Sequence, residues 1–273
     1  MDVLLPLLRT LAPILYALAA ANYAVLFLRD DAFARRVATP LLSISITVHG
    51  LEILLRGLAE GLLPLRNVFE SLSAIAFAVA AVYLFIEVRH KNPMTGVFVV
   101  PLVFLAETIA TAFVGRTEAA PEILRSALFG LHTGAAILGY CGFAVAAIYG
   151  ALFLLLYHEL KSRRFSLVYD RLPPLDTLAQ MNIGALTVGF VFLSVAIVFG
   201  AVWISRIHNA SLGDPKILMT LVAWAVFGLG IVAHFLLGWR GPRVIYMSVA
   251  GFLLLLTSSV AVNVLGSSFH VFR

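Results

Sequence analysis

The sequence predicts an all-α integral membrane protein, a polytopic helical bundle with about eight transmembrane helices. Of its 273 residues, 62% are hydrophobic and only 12% are charged, and the mean hydropathy is +1.01. Ordinary soluble domains carry about 25% charged residues. The apolar residues also fall into stretches near the ~20 residues that a helix needs to cross the hydrocarbon core. Composition and segment length together therefore place the chain in a lipid bilayer.

Eight apolar stretches follow one another along the chain, separated by short polar segments. The first is too long for the apolar region of a signal peptide and lacks a basic segment before it, so we expect it to be retained. No connection is long enough for a separate soluble domain, and residues 1–273 are expected to form a single transmembrane domain. The predicted spans are Leu5–Leu28, Ala38–Gly57, Val68–Val88, Val97–Gly115, Leu128–Tyr157, Ile183–Ser205, Ile217–Leu237 and Val244–Leu265.

Lysine and arginine are distributed unequally between the two sets of loops. One set holds 11 of the 19 basic residues and the other holds 8. Because cytoplasmic loops carry the excess of basic residues, this distribution predicts that both termini are external. Anionic lipid at the cytoplasmic face accounts for the net charge of +5, so this charge does not indicate a nucleic-acid partner.

A polar segment, ISRIHNASLGDPKILMTLVAW at residues 204–224, interrupts the apolar sequence between spans six and seven. The predicted orientation makes it an external loop. Asp214 is suited to cap the next helix and Pro215 to occupy its first turn, where the missing N–H costs nothing. The single cysteine, Cys141, excludes an internal disulfide, a C-x-x-C redox pair and a C-x-x-C-H haem attachment site within this chain.

Two of the seven histidines have a simple explanation. His90 and His158 lie among Lys, Arg and Glu at predicted cytoplasmic helix ends, which is typical of solvated interfacial residues. His234 lies deeper, near the cytoplasmic end of span seven.

The other four histidines lie in the predicted external half. His49 lies within span two, His132 just inside the external end of span five, His270 after the external end of span eight, and His208 in the polar loop. Imidazoles at one face are able to converge on a metal or a haem iron. The alternative is that each is a buried histidine hydrogen-bonded to a neighbouring helix.

Catalytic motifs do not stand out. The sequence contains no G-x-S-x-G elbow, Walker loop or H-E-x-x-H pair, and we expect no turnover chemistry. Glu52 follows His49 by three residues, so a pairing between them is possible, while Glu107 in span four has no assigned role. Asn67 and Glu70 form a predicted capping box at the start of span three.

Four blocks carry a family resemblance over about residues 45–273. They resemble the CcsA/CcmC family of haem-handling cytochrome c assembly membrane proteins, especially its HemX-like eight-span branch. The blocks are HGLEILLRGLAEGLLPLRNVFESL with His49, Pro64, Asn67, Glu70, Ser71 and Leu72; LHTGAAILGYCGFAVAAIYGALFLLLY with His132; AHFLLGWRGPR with His234 and Trp239; and VAVNVLGSSFHVF with His270.

The resemblance implies non-covalent binding of haem b, with His132 and His270 as axial ligands of the iron at the external face. It places His234 at an internal haem position or transfer path, with His49 as a candidate partner there. It further implies a bacterial-type cytoplasmic (inner) membrane location, a role in haem transport, and partners among other cytochrome c maturation proteins and apocytochrome c.

The polar loop departs from the family pattern. Relatives carry a tryptophan-rich W-G-x-x-W-x-W-D-x-K-E loop there, whereas this chain has no tryptophan between Trp203 and Trp224 and keeps only Asp214, Pro215 and Lys216 of the core. Two alternatives therefore stay open. One is a HemX-like accessory or regulatory subunit that binds a partner protein without exporting haem. The other is a small-solute or ion transporter, although no pair of broken helices supports it.

Overall fold

The computed structural model describes residues 3–61, 63–113, 126–163, 165–205 and 215–265, except for the side chains of residues 216 and 258–265. Within this part the chain is helical and contains no β-strand. The helices are α1 (Leu4–Arg29), α2 (Ala32–Glu60), α3 (Val68–His90), α4 (Gly96–Phe113), α5 (Ala127–Ser162), α6 (Leu167–Arg171), α7 (Leu175–Ile204), α8 (Pro215–Phe235) and α9 (Pro242–Leu265).

Seven helices of the described part are long and apolar enough to cross a membrane, and α9 adds an apolar helix assessed as far as Thr257. The predicted all-α polytopic membrane fold is thereby confirmed. Each predicted span coincides with one helix, but most helices run several residues beyond the apolar stretch. The sequence did not predict the short α6 or the 3-10 turn Pro93–Thr95 before α4. The count of eight spans and the external termini stay predictions.

Local capping explains several helix boundaries. Asn67 caps α3 by accepting a 2.8 Å hydrogen bond from the Glu70 N–H, as predicted. The Glu70 carboxylate, however, accepts from the backbone N–H of Arg66 at 2.8 Å rather than from that of Asn67. Helix α8 begins at Pro215, as expected for proline in a first turn, while its predicted cap, Asp214, lies outside the described residues.

The helices pack in two groups. The first group contains α1 to α4, and the second contains α5, α7, α8 and α9. Helix α3 joins them, because it also contacts α5 and α7. The most extensive helix pair is α5 with α7.

Small residues hold α5 and α7 close together. A Cβ added to Gly142 of α5 would lie 2.6 Å from the Gly189 Cα of α7, and one added to Gly139 would lie 2.9 Å from the Leu193 backbone nitrogen. Neither distance leaves room for a side chain. Helices in a bilayer associate mainly through packing of this kind. We refer to this contact as the α5–α7 seam.

A buried asparagine fixes the seam towards its predicted cytoplasmic end. Asn182 of α7 is fully buried and donates to the Ala146 carbonyl of α5 at 2.6 Å. Its amide nitrogen also lies 3.0 Å from Ser248 Oγ of α9. One side chain therefore connects three helices through polar bonds inside the apolar core.

In the first group, the buried carboxylate of Glu87 connects helices in a similar way. Glu87 of α3 accepts from the Tyr23 hydroxyl of α1 at 2.6 Å and from Thr39 Oγ1 of α2 at 2.5 Å. Glu87 therefore connects three of the first four helices near their predicted cytoplasmic ends.

The seam gives a direct test of the packing. We expect Gly142→Ala to destabilise the protein, because its methyl group meets the backbone of α7 rather than a movable side chain, and overpacking costs about 1–3 kcal/mol. The thermal unfolding midpoint in detergent should fall by several degrees. Gly134→Ala on the same helix is the matched control, since a Cβ there meets nothing within 4 Å. Equal midpoints for the two variants would contradict the proposed role of the seam.

Candidate functional site

A cavity of about 340 Å³ lies between α5, α7 and α8 at the predicted external ends of these helices. Its walls are mostly apolar, and His132 is the histidine that lines it. The hydroxyls of Tyr140 and Thr220 lie 3.4 Å apart on its walls. A cavity of this size and composition, with few polar groups, is typical of a site for an apolar small molecule.

The tautomer of His132 follows from its hydrogen bond. Its Nδ1 lies 2.8 Å from the backbone carbonyl oxygen of Ala196 on α7. A carbonyl only accepts, so Nδ1 carries the proton, and in the neutral ring the Nε2 lone pair remains for a ligand. Histidines that bind metals usually donate their other ring N–H to such a carbonyl. The His132 ring is therefore arranged as a metal-binding imidazole.

Two residues of α7 position the His132 ring. Trp203 stacks on it, with ring centroids 6.2 Å apart and an interplanar angle of 23°, and Phe129 packs against Trp203 at 5.3 Å. Gly200 is the second of these residues, because a Cβ there would come within 2.8 Å of His132 Nδ1 and Cε1. A glycine at this point is what gives the imidazole its space. The sequence did not reveal these contacts, since they join helices far apart in the chain.

His234 lies outside the cavity that His132 lines. Its Nδ1 is 2.9 Å from the Trp239 carbonyl oxygen, just beyond the end of α8, so its Nε2 is also the nitrogen left for a ligand. The ring lines a cavity of about 300 Å³ together with Asp176, Gln180 and Arg240. This cavity is more polar than that of His132 and lies at the predicted cytoplasmic ends of α7 and α8.

His49 lies in a third place, within the first helix group, and it is fully buried. Its Nδ1 lies 3.3 Å from the Tyr16 hydroxyl. Its Nε2 lies 2.9 Å from Ser73 Oγ and 3.2 Å from Glu107 Oε2. Both ring nitrogens thus have partners inside the bundle, and an iron at His49 would have to displace one of them.

Glu52 does not take the place that its spacing from His49 suggested. Its carboxylate lies 3.3 Å from Arg56 Nη2 on the same helix. The acid recorded beside His49 is instead Glu107, which belongs to α4. Sequence spacing made the local pair possible, whereas helix packing brings the distant residue into contact.

The structure therefore keeps the three candidate ligand histidines of its described part apart from one another. His49 contacts α1, α3 and α4, His132 contacts α7, and His234 contacts the segment after α8. Within the described residues, no group of three or more His, Cys, Asp or Glu side chains is arranged to hold a metal ion. His270 and His208 lie outside the described residues, so the predicted pairing of His132 with His270 stays a prediction.

Comparison with known proteins adds an independent observation. Residues 65–270 match the family described as "Cytochrome C assembly protein". The chain is 26% identical over 244 residues to "Cytochrome c biogenesis protein CcsA" of the alga Heterosigma akashiwo, covering 76% of each chain.

Two further relatives carry the same name. The protein of Prochlorococcus marinus is 26% identical over 267 residues, covering 86% of this chain and 83% of the relative. That of Chlamydomonas reinhardtii is 27% identical over 247 residues, covering 86% and 69%. The predicted family is confirmed, while its HemX-like branch stays a prediction. Because the matched residues make up most of its length, this multi-pass membrane chain belongs to the cytochrome c assembly protein family.

Proposed function

We propose that this protein binds haem b non-covalently and handles it at the external membrane face during cytochrome c maturation. Membership of the cytochrome c assembly family supports the general role. The relatives are named as cytochrome c biogenesis proteins, and the chain contains apolar helices suited to the membrane. We place it in a bacterial-type cytoplasmic (inner) membrane, where it presents haem and has no turnover chemistry of its own.

The arrangement around His132 carries this proposal. A fixed tautomer leaves Nε2 for an axial bond, an apolar cavity lies beside the ring, and Trp203 supplies an aromatic face next to it. These features suit a planar, mostly apolar ligand with a metal at its centre. His132 would hold and orient the haem, and the cavity walls would exclude water from the iron.

The second axial ligand in this proposal is His270. His234 serves an internal haem position, because its Nε2 is left for a ligand and Arg240 of the same cavity is able to pair with an anionic edge group. His49 was a candidate partner there by resemblance. Its ring nitrogens contact Tyr16, Ser73 and Glu107, so the proposal assigns no bond to iron to His49. Apocytochrome c and other maturation proteins are the proposed partners.

The polar loop favours a second candidate function. With no tryptophan between Trp203 and Trp224, most of the aromatic platform that relatives carry there is missing. A HemX-like accessory or regulatory subunit, which binds a partner protein without exporting haem, is consistent with this loss. Haem content distinguishes the two functions, because only the first requires bound haem.

The visible spectrum of the purified protein tests the haem proposal. We expect a Soret band in the wild type, and we expect His132→Ala and His270→Ala to lose it through removal of an axial ligand. His158→Ala is the control, because this exposed residue lies at the opposite end of α5. A wild-type protein that is colourless and also takes up no added hemin would refute haem binding and favour the accessory role.

Gly200 gives a finer test of how the ring is positioned. In Gly200→Ala the new methyl group pushes against the His132 ring, and a side chain forced about 30° off its rotamer costs about 0.5–1.5 kcal/mol. Hemin affinity, followed by absorbance titration, should fall by up to roughly tenfold. Val198→Ala is the control on the same helix, since Val198 is 62% exposed. Unchanged affinity in Gly200→Ala would show that the ring is not held by this contact.

A further inference from the structure

The first four helices contain a cluster of ionisable groups that the proposed haem site does not use. It begins at His49 within the bundle and continues, through successive turns of α2, to the connection between α2 and α3. We call it the charge cluster. Its described members are His49, Glu52, Arg56, Glu60, Arg66, Glu70 and Glu107, with Arg9 of α1 interacting electrostatically with it.

Three of the four carboxylates lie next to an arginine. Arg66 Nη2 lies 2.8 Å from Glu60 Oε1 and 2.7 Å from Glu70 Oε1. Arg56 lies 3.3 Å from Glu52 and 3.9 Å from Glu70. Each of these three carboxylates thus has a cationic partner, which buried carboxylates need.

The surroundings of Glu107 differ from those of the other three carboxylates. It is 3% exposed, its Oε1 accepts a 3.1 Å hydrogen bond from Thr111, and its titratable neighbour is His49, with Nε2 at 3.2 Å from Oε2. This Oε2 atom accepts no well-aligned hydrogen bond from the described residues. A carboxylate oxygen buried in this way is costly as a bare anion.

Among the described contacts, the Glu107 and His49 pair is where a carboxylate of the cluster lies beside an imidazole instead of an arginine. A proton at this pair spares the buried carboxylate a bare negative charge.

We infer that Glu107 binds one proton within the membrane and shares it with His49 across the 3.2 Å contact. On protonation an O–H bond forms at Glu107 Oε2, while one O–H bond of a hydronium ion breaks and leaves a neutral water molecule. Ionisable residues inside transmembrane bundles commonly form such proton sites. His49 thus has a role in proton binding, separate from haem ligation.

Every described helix packed against this pair contributes groups that act on the proton. Helix α1 contributes a cation and a phenol, α2 contributes one carboxylate and one arginine, α3 contributes a carboxylate, and α4 contributes Glu107 itself. These neighbours are Arg9, Tyr16, Glu52, Arg56 and Glu70.

Infrared difference spectroscopy of the full-length protein in lipid nanodiscs tests the inference. The difference between the spectra in acidic and in alkaline buffer should contain the C=O stretching band of one protonated carboxyl. This band should lie at a higher frequency than that of hydrated carboxyls. Glu107→Gln should remove this band. Glu60→Gln is the matched control, because it removes a more exposed carboxylate of the same cluster and should leave the band in place.

A second variant keeps the test decisive if Glu107→Gln does not fold. Thr111→Val removes the hydrogen bond to Glu107 Oε1 with little change of shape, so the band should persist and shift in frequency. A wild-type spectrum without a pH-dependent buried carboxyl band, or a band unaffected by both variants, would overturn the inference. Loss of the band in Glu52→Gln or Glu70→Gln alone would also overturn it. Haem binding is measured separately, so neither result depends on the other.

Discussion

The backbone-to-backbone approach of α5 and α7 is the constraint on which the second half of the molecule depends. Where Gly142 meets Gly189 the two helices have no side chains between them, which sets their separation and their antiparallel register. Towards one end this register brings Asn182 to the Ala146 carbonyl. Towards the other it brings His132 to the Ala196 carbonyl and opposite Gly200. The orientation of the candidate ligand is thus a result of helix packing.

The two helix groups accommodate polar side chains in the membrane in different ways. In the first group, ionisable side chains of α2, α3 and α4 are buried against one another, and Glu87 accepts hydrogen bonds from two hydroxyls. The described part of the second group contains few buried charges and instead leaves an apolar cavity beside one imidazole. Charged groups that are tied together by pairing resist rearrangement, whereas an apolar cavity has no polar partners to satisfy and is free to accept a ligand.

Much of the fold could be predicted from the sequence, because apolar length and local capping are properties of neighbouring residues. The eight spans coincide with helices, and the Asn67 cap forms as its spacing indicated. The site was harder to predict. Glu107 and His49, or Trp203 and His132, meet only after helices pack, and no periodicity reports such contacts. Glu52 shows the limit of local spacing. It follows His49 by three residues but contacts Arg56, while the acid that contacts His49 is Glu107 of another helix.

If haem binds as proposed, the carbonyl contact of His132 would also influence the oxidation state of the iron. A ring that donates Nδ1–H to a backbone carbonyl becomes a stronger base at Nε2. A more basic axial nitrogen donates more electron density to iron and so favours the ferric form over the ferrous form, one of the means by which a protein adjusts the reduction potential of a haem. Since Ala196 belongs to the backbone of α7, this preference would persist through most substitutions of the surrounding side chains.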